Sequence, residues 1–468
     1  MTTRETLSWG PGVSMEATAE GRWIWLGHDK LMLPPVPPGV SAAFDAISEG
    51  RCGLEELTTL AGRDGWNDAA IFHGLLQRLH RHGVLARALR WEGSVLATLA
   101  PAAPQVRGPV LREEVSYALS RFAFTHRVDG SLVLETPLSR GRVWMPTWHG
   151  SALLGALSGP KRPGDFAAVV PGIPADAAGA FMRMLAEAGA LTETGSEGAP
   201  IEPEALATWE FHDLLFHRQT RWGKRDDVYG GATYRFRGRL PEPGKKPPPT
   251  GERIPLEVPD LAAAERRDPP FTTVLERRRS IREHGSRPVT RTELGELLYR
   301  AVGLRQTVLF DRGEGEARPY PSGGGLYETG VYVVANRCEG LKEGLYYYRV
   351  EDHALYHIAG RTPDMDLLLK TAMATSLRTA PPQVLFILTA RFARMAWKYE
   401  TMAYAAMIKH VGVIFQTLYL VATAMGLAPC ALGAGNAEVF ARLSGLDPLE
   451  EGSVGEFMLG TRPDEEST

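Results

Sequence analysis

Residues 321–336 read PSGGGLYETGVYVVAN, and this stretch joins a glycine-rich turn to the start of a strand. Three consecutive glycines allow backbone N–H groups to approach a flat or anionic ligand closely. The run GVYVVAN is short, apolar and rich in β-branched residues, which is typical of a buried strand. The pattern is neither GxGxxG entering a helix nor GxxxxGK[ST], so it disfavours a dinucleotide Rossmann site and a P-loop. A plain flexible turn is the remaining alternative.

The sequence on both sides of this stretch alternates between helices and strands, from about residue 262 to 462. TRTELGELLYRAVG predicts a helix with Thr290 or Thr292 as its N-cap, and VLFILTA predicts a second buried strand. A long apolar helix is predicted from about residue 397 to 425, broken near Gly412. NAEVFARLSG predicts a short helix capped by its asparagine, and VGEFMLGTR predicts the last strand. This alternation predicts an α+β or α/β unit.

An internal repeat occupies the first half of the chain, with copies that start at Ser41 and Ser151. Each copy follows a short strand hairpin and contains two short helices and a longer amphipathic helix. Gly83 and Gly189 close the longer helices, and a glycine after a period of 3.6 predicts a left-handed C-terminal cap. Strands, three helices and a wing predict a winged-helix-like domain, present twice.

The segment between the repeat and the C-terminal unit has its own composition. It contains PEPGKKPPPTG, which excludes a helix or a central strand because proline fixes φ and removes a donor. It is also rich in aromatic residues, so we expect part of it to pack on the next unit or on a second subunit; an ordinary linker is the alternative. The predicted organisation is α+β, with winged-helix-like domains at 1–105 and 106–202, an aromatic and proline-rich lead-in at 203–261, and a cofactor-binding domain at 262–468.

The composition excludes several function classes. The chain has 468 residues, 44% of them hydrophobic and 23% charged, which is typical of soluble globular protein. Its net charge of −3 gives no indication of nucleic acid or an anionic membrane as partner. The candidate recognition helix at 175–188 carries one basic residue, Arg183, so DNA binding is not expected. Cys52, Cys338 and Cys430 lie far apart, which predicts neither a disulfide framework nor a metal site.

Membrane insertion and secretion are also not expected. The most apolar stretch, residues 411–429, approaches the length of a membrane span. It contains Gln416, Thr417 and Thr423, so we expect a buried helix. The opening residues MTTRETLSWGPG lack the apolar run of a signal peptide. Together with the few cysteines, these features predict a cytoplasmic protein.

Two further patterns suit a phosphate and a planar ring. The run RRRSIR contains Arg278, Ser280 and Arg282, whose cations and hydroxyl can bind a phosphate. A solvated charge run is the alternative for these residues. Leu432-Gly433-Ala434-Gly435 are small residues that could line a planar ring, although a tight turn would have the same composition.

Lys398 and Tyr399 form the fourth candidate, near the predicted start of the long helix. Burial lowers the pKa of a lysine, and a neighbouring cation lowers the pKa of a tyrosine, so either side chain could act as a base. A surface lysine that keeps its ammonium group in water is the alternative.

Four stretches, taken in order, resemble the nitroreductase-like flavoproteins, and within them the SagB/ThcOx-type dehydrogenases. They are RRRSIR, YPSGGGLYETGVYVVANRCEGLKEGLYYYR, WKYETMAYAAMIKHVGVIFQTLYLVATAMGLAPCALGAG and EFMLGTR. WEFHDLLFHRQTR resembles the lead-in segment of that subfamily, so the resemblance covers roughly residues 209–462. The repeated N-terminal half is similar to the leader-recognition domains of the cyanobactin oxidase branch.

The resemblance implies a nitroreductase-like domain that binds FMN at a homodimer interface. It further implies oxidation of thiazoline or oxazoline rings to thiazoles or oxazoles in a ribosomally synthesised peptide. The modified precursor peptide would be the substrate, and a cyclodehydratase an optional partner. Met402 and Ala405 stand where such proteins often have an arginine, which leaves the exact substrate open.

The resemblance also assigns roles to individual residues. The catalytic pair would be Lys398 and Tyr399. The FMN phosphate and ribityl chain would be bound by Arg278, Ser280, Arg282 and Arg462. The flavin ring would face Pro321, Ser322, Gly323, Gly324, Leu432, Gly433, Ala434 and Gly435.

Two other functions fit the same sequence. One is an NAD(P)H-dependent flavin reductase or nitroreductase that acts on small molecules, although such an enzyme has no need of two N-terminal domains. The other is a catalytically idle scaffold that binds peptides.

Overall fold

The computed structural model of the protein describes residues 3–18, 20–26, 29–100, 110–139, 141–167, 169–221, 230–310 and 313–463. The chain divides into two units, Met1–Tyr229 and Gly230–Thr468.

In the first unit the strands are β1 (Arg4–Trp9), β2 (Val13–Thr18), β3 (Gly21–Leu26), β4 (Asp29–Leu33), β5 (Leu85–Trp91), β6 (Ser94–Ala100), β7 (Ser116–Leu119), β8 (Phe124–Val128), β9 (Ser131–Glu135), β10 (Arg142–Met145) and β11 (Leu191–Thr194). The helices are α1 (Pro38–Glu49), α2 (Leu54–Ala61), α3 (Trp66–Arg81), α4 (Trp148–Gly155), α5 (Pro163–Phe166), α6 (Ala175–Glu187), α7 (Glu204–Ala207) and α8 (Phe211–Gln219).

In the second unit the strands are β12 (Arg253–Pro255), β13 (Val289–Thr290), β14 (Gln306–Phe310), β15 (Gly313–Ala317), β16 (Thr329–Ala335), β17 (Cys338–Glu339), β18 (Gly344–Arg349), β19 (Ala354–Gly360), β20 (Val384–Arg391), β21 (Leu427–Leu432) and β22 (Glu451–Thr461). The helices are α9 (Leu261–Arg267), α10 (Phe271–Arg277), α11 (Arg291–Val302), α12 (Pro363–Ser376), α13 (Phe392–Ala396), α14 (Ala403–Ala424) and α15 (Ala437–Ser444).

The first unit shows the predicted repeat of three helices followed by a strand. The longer helices α3 and α6 end at Gly83 and Gly189, whose φ angles of 70° and 68° are left-handed as predicted. Strands from both copies join one antiparallel sheet in the order β1-β5-β6-β10-β9-β8. The winged-helix assignment and the boundary at residue 105 stay predictions.

The second unit is built on a seven-stranded sheet in the order β12-β19-β18-β16-β20-β22-β21. Its strand pairs are antiparallel, so the predicted α+β class is confirmed. GVYVVAN and VLFILTA form β16 and β20, as predicted. All seven residues of β16 are buried, because Val331 and Val333 face one core and Tyr332 and Val334 face the other.

Two predicted helix caps are present in the second unit. Thr290, rather than Thr292, caps α11: its Oγ1 accepts a hydrogen bond from the Glu293 N–H (3.1 Å). Asn436 caps α15 by accepting one from the Val439 N–H (3.1 Å). Each cap satisfies a backbone donor that the helix leaves unpaired.

The long apolar helix differs from its prediction in two features, its first residue and its continuity at Gly412. It begins at Ala403 rather than near residue 397, because Thr401 has a φ of 58° and interrupts the helical path after α13. It continues past Gly412 without a break. Among the described residues, α14 is the helix long and apolar enough to cross a membrane, and half of its most apolar window is buried within the protein. Ile414 and Leu418 on its inner face pack in the core, as expected for a buried helix.

The last part of the lead-in segment packs on the second unit. The sequence analysis expected such packing, with an ordinary linker as the alternative. Residues 230–246, which we call the strap, run along the side of the unit that carries α13. The chain then forms β12 at the edge of the sheet, where Pro255 costs no ladder hydrogen bond.

Candidate active site

The candidate residues lie in connections at the ends of strands and helices. Arg278, Ser280 and Arg282 follow α10, and Pro321 to Gly324 connect β15 to β16. Lys398 and Tyr399 lie between α13 and α14 rather than within a helix. Leu432 ends β21, Gly433, Ala434 and Gly435 lead into α15, and Arg462 directly follows β22.

The structure brings the glycine loop and the Lys398–Tyr399 pair together. Gly324 has a φ of 63°, and a Cβ at this position would collide with the Lys398 ammonium and lie 2.6 Å from Tyr399 Oη. Glycine is therefore required here both by the backbone and by the close approach. Lys398 Nζ lies 5.5 Å from the centre of the Tyr399 ring.

Two residues that the sequence analysis did not identify hold the glycine loop in place. The Gly323 N–H donates to His410 Nε2 (2.8 Å), and His410 Nδ1 bonds Glu328 Oε1 (2.7 Å). Because Nε2 accepts, the proton of this imidazole belongs on Nδ1, where it donates to the carboxylate. Glu328 is 1% exposed and His410 is 8% exposed. The sequence features that could have indicated these two residues were a glutamate inside the GLYE motif and a histidine on the inner face of an apolar helix.

Ser322 completes this arrangement. Its Oγ accepts a hydrogen bond from the Tyr327 N–H (3.0 Å) and donates one to Glu328 Oε2 (3.3 Å). Both carboxylate oxygens of Glu328 are thus engaged. The loop presents its glycine backbone from a fixed position, as close packing against a flat ligand requires.

The pKa of Tyr399 moves in the direction opposite to the expectation. Burial raises the pKa of Tyr399 above its ordinary value, and the nearby Tyr234 and Glu328 raise it further. The sequence suggested that Lys398 would lower it, but all three of these effects raise it. At neutral pH Tyr399 therefore carries its proton and can donate a hydrogen bond.

A second group of candidate residues lies around Tyr419. Tyr419 Oη accepts from the Ala431 N–H (2.7 Å) and shares a hydrogen bond with Ser280 Oγ (2.7 Å). The Arg278 guanidinium lies 5.3 Å from the centre of the Tyr419 ring. The Ile281 N–H also donates to the Pro429 carbonyl (2.8 Å). These bonds fix the RRRSIR segment against β21.

Arginines crowd together beside this group. Arg462 Nε donates to the Leu427 carbonyl (3.3 Å), and burial together with Arg279 and Arg277 lowers the pKa of Arg462. A cation whose pKa is lowered by neighbouring cations is stabilised when an anion binds beside it. Arg282 lines a cavity of about 660 Å³ that extends to Pro463.

Leu432 to Gly435 form a third group, close to Glu456. The Asn436 N–H donates to Glu456 Oε1 (3.2 Å), Gly435 lies against the same carboxyl group, and Thr375 Oγ1 donates to the Ala434 carbonyl (3.4 Å). Burial raises the pKa of Glu456 to about 7. Its Oε2 has no hydrogen-bond partner among the residues that the structure describes.

The first two groups are separated along one helix. His410 contacts the glycine loop and Tyr419 contacts Ser280, and they lie nine residues apart on α14, or roughly 13 Å at 1.5 Å per residue. FMN carries an anionic phosphate at one end and a planar ring at the other, so it needs contacts of two kinds at separate places. The arginine cluster suits the phosphate and the glycine loop suits the ring, so the residues present fit this cofactor. Among the described residues there is no group of three His, Cys, Asp or Glu side chains that could bind a metal ion.

Family models match two parts of the chain. Residues 275–461 match the nitroreductase family, and residues 117–226 match the cyanobactin oxidase ThcOx. The nitroreductase match contains the glycine loop, the Lys398–Tyr399 pair and most of the arginine cluster.

Individual proteins resemble part of the chain as well. A Methanocaldococcus jannaschii protein that is named as a nitroreductase is 29% identical to this chain, over 39% of this chain and 86% of its own length. The trifolitoxin-processing protein TfxB of Rhizobium leguminosarum bv. trifolii is 28% identical over 35% of this chain and 45% of its own length. A chain in the E. coli microcin synthetase McbBCD complex with truncated pro-MccB17 is 22% identical, with a TM-score of 0.34, over 40% of this chain and 71% of that chain.

The nitroreductase match covers the part of the second unit that carries the candidate site, and members of that family bind a flavin. The second unit is thus a nitroreductase-like domain. In the two matched regions the chain thus resembles the nitroreductase-like proteins of the SagB/ThcOx type.

Proposed function

We propose that this protein is an FMN-dependent dehydrogenase that oxidises thiazoline or oxazoline rings of a ribosomally synthesised peptide to thiazoles or oxazoles. The observation that carries the proposal is the contact of Lys398 and Tyr399 with Gly324, which puts two proton-transferring groups at the loop suited to a flavin ring. The likeness to the cyanobactin oxidase model and to a trifolitoxin-processing protein supports a peptide substrate.

Cofactor binding is assigned to residues of both site groups. Arg278, Ser280 and Arg462 bind the phosphate through charge-assisted hydrogen bonds. The backbone of Gly323 and Gly324 packs against the ring. Bound FMN supplies the acceptor for a hydride.

The chain's own residues carry the proton transfer. An azoline becomes aromatic when it loses one proton and one hydride, which is a two-electron oxidation. We assign the removal of the proton to Lys398, because the raised pKa of Tyr399 keeps that phenol protonated. Tyr399 donates a hydrogen bond that orients the substrate. Molecular oxygen is the terminal oxidant in this scheme.

Peptide recognition is assigned to the first unit. The ThcOx match covers the second repeat, α7 and α8, outside the flavin-binding region. Contacts there would concentrate the substrate without entering the chemical step, so they lower KM and leave kcat unchanged.

A homodimer is proposed from the surface of the second unit. Tyr404 and Ile408 are exposed on α14, and Phe271 and Leu275 are exposed on α10, which packs against α14. Exposed apolar side chains on two helices that contact each other are typical of an interaction surface. We assign it to a second copy of the chain in a two-fold dimer.

The test uses purified full-length protein and a peptide that carries azoline rings. A yellow preparation and a loss of two hydrogens per ring by mass spectrometry would support the proposal. A colourless protein that binds the peptide would instead indicate a scaffold. A flavoprotein that leaves the rings unchanged would refute azoline oxidation.

A reductase acting on small molecules is the second candidate, because the M. jannaschii relative matches over most of its length. Rapid NAD(P)H consumption in the absence of peptide, with a nitroaromatic or free flavin as acceptor, would favour it.

A further inference from the structure

The strap is anchored at its far end by a partly buried lysine. Lys246 Nζ donates to Tyr332 Oη (2.7 Å) and to Glu451 Oε2 (2.5 Å), and Thr389 Oγ1 donates to the other oxygen of that carboxylate (2.7 Å). Tyr332 and Thr389 belong to β16 and β20, the central strands. The anchor therefore ties the strap to the most rigid part of the second unit.

Arginines of the β20–α13 corner join the strap to the glycine loop. Arg394 Nε donates to the Leu326 carbonyl (2.6 Å), and Arg394 Nη1 donates to the Pro243 carbonyl (3.0 Å). Arg391 Nη1 donates to the Gly244 carbonyl (2.8 Å). Because one guanidinium bonds both segments, the strap and the end of the loop keep a fixed separation.

The near end of the strap lies directly against the segment that carries the catalytic candidates. The Glu400 N–H donates to the Gly230 carbonyl (3.0 Å), and the Tyr234 N–H lies 3.5 Å from the Lys398 carbonyl. The Tyr234 ring packs edge-on against Trp397, with centroids 5.6 Å apart. The backbone on both sides of Tyr399 is therefore held by the strap.

Gly231 provides the space for the Tyr399 ring. A Cβ at position 231 would lie 2.6 Å from Tyr399 Cε1 and 2.9 Å from Cδ1. No ordinary carbon contact is that short, so any side chain at position 231 would push the tyrosine away. Gly244, by contrast, has no heavy atom within 4 Å of the corresponding position.

Left-handed backbone conformations accumulate at this contact. Ala232, Tyr234 and Thr401 have φ angles of 63°, 51° and 58°, and Tyr327 at the end of the glycine loop has a φ of 45°. Such conformations are unfavourable for residues other than glycine and persist where the surrounding structure enforces them, commonly at functional sites.

We propose that the strap is a working part of the active site, in which Gly231 and Lys246 are positioning residues for Lys398 and Tyr399. The inference rests on the proposed function, because it assumes that this pair carries the chemistry. The strap acts through the placement of Tyr399 and Lys398, so it affects the chemical step more than the binding of cofactor or peptide.

The first test compares Gly231→Ala with the matched control Gly244→Ala in flavin-loaded full-length protein. We expect Gly231→Ala to lower kcat by about 10²-fold, the usual effect of a misplacement near 1 Å, with peptide KM and flavin content changed less than about twofold. Hydrogen exchange of the Glu400 amide should become faster, with or without substrate. Gly244→Ala should match the wild type in all four measurements.

The second test removes the anchor and compares Lys246→Met with the wild-type protein. Lys246→Met should lower kcat and speed exchange at Glu400, and Lys246→Arg should restore part of both. The inference would be overturned if folded Gly231→Ala and Lys246→Met proteins kept the wild-type kcat and the wild-type hydrogen exchange at Glu400. It would also be overturned if these variants raised the peptide KM and left kcat unchanged. If the wild type fails to oxidise azolines, the proposed function is wrong, but unchanged exchange at Glu400 would still refute the strap contact independently.

Discussion

His410→Ala should destabilise the second unit strongly, because it removes the hydrogen-bond partner of two buried groups at once. The Gly323 N–H loses its acceptor, which costs about 1–3 kcal/mol for an unsatisfied donor. Glu328 is 1% exposed and keeps only the 3.3 Å bond from Ser322 on its other oxygen. The Glu328 carboxylate also loses the hydrogen bond from the neutral His410 imidazole, and a hydrogen bond to a charged group is worth about 1.5–3 kcal/mol, so we expect a total of about 3–5 kcal/mol.

Hydrogen exchange of the β16 amides is the appropriate assay, since β16 is central and its slowest amides report global opening of this unit. The matched control is His212→Ala, whose side chain is 79% exposed and which should change nothing measurable. Glu328→Gln/His410→Leu should be milder than His410→Ala, because no charge is left buried. A loss below about 1 kcal/mol for His410→Ala would refute the reasoning, because a buried donor left unsatisfied already costs that much.

Four further outcomes are expected. Arg278→Ala should weaken flavin binding roughly ten- to a hundredfold in a folded protein, measured by flavin fluorescence on dilution, because it removes a charge-assisted bond worth about 1.5–3 kcal/mol; full retention would remove the residue from the site. Light scattering should give about twice 51.2 kDa, and Ile408→Glu should shift the protein to a monomer; a monomeric wild type would contradict the dimer. Lys398→Ala/Tyr399→Phe should keep flavin and peptide but lose turnover by about 10²–10⁴-fold in the mass assay, and near-normal oxidation would end the catalytic assignment. Burial raises the pKa of Glu456 to about 7, so this group binds more protons in the folded state, and its stabilising contribution is lost as pH rises from about 4.5 through 7. Glu456→Gln should make the denaturation midpoint less dependent on pH between these values. An unchanged pH dependence of the midpoint would show that Glu456 does not cause it.

Local pattern predicted the strands and the helix ends that depend on neighbouring residues. GVYVVAN became β16 because a fully buried strand is apolar on both faces, and Gly83 and Gly189 adopt left-handed caps because glycine allows them. The family resemblance assigned Lys398 and the glycine loop to one flavin site, and their proximity is a finding of the structure.

Contacts between distant residues explain what the sequence could not predict. The helix at Lys398 was placed too early because Thr401 is held left-handed in a segment that Gly230 binds from 170 residues earlier in the chain. The pairing of Glu328 with His410 spans 82 residues, so neither residue shows its role in its local pattern. The pKa of Tyr399 depends on burial and on Tyr234, which only the folded strap brings near.

The sheet shared by the two repeats limits how the first unit can be dissected. Cutting the chain near residue 105 would remove β5 and β6, and β10 would then present a row of unsatisfied N–H and C=O groups to solvent. Such an open edge recruits strands from other molecules, so a truncated protein would aggregate for reasons unrelated to peptide recognition. The two repeats are therefore expected to fold as one cooperative unit, because each repeat supplies a neighbouring strand to the other in the shared sheet. A variant that recombines or shortens the repeats must replace the pairing between β6 and β10.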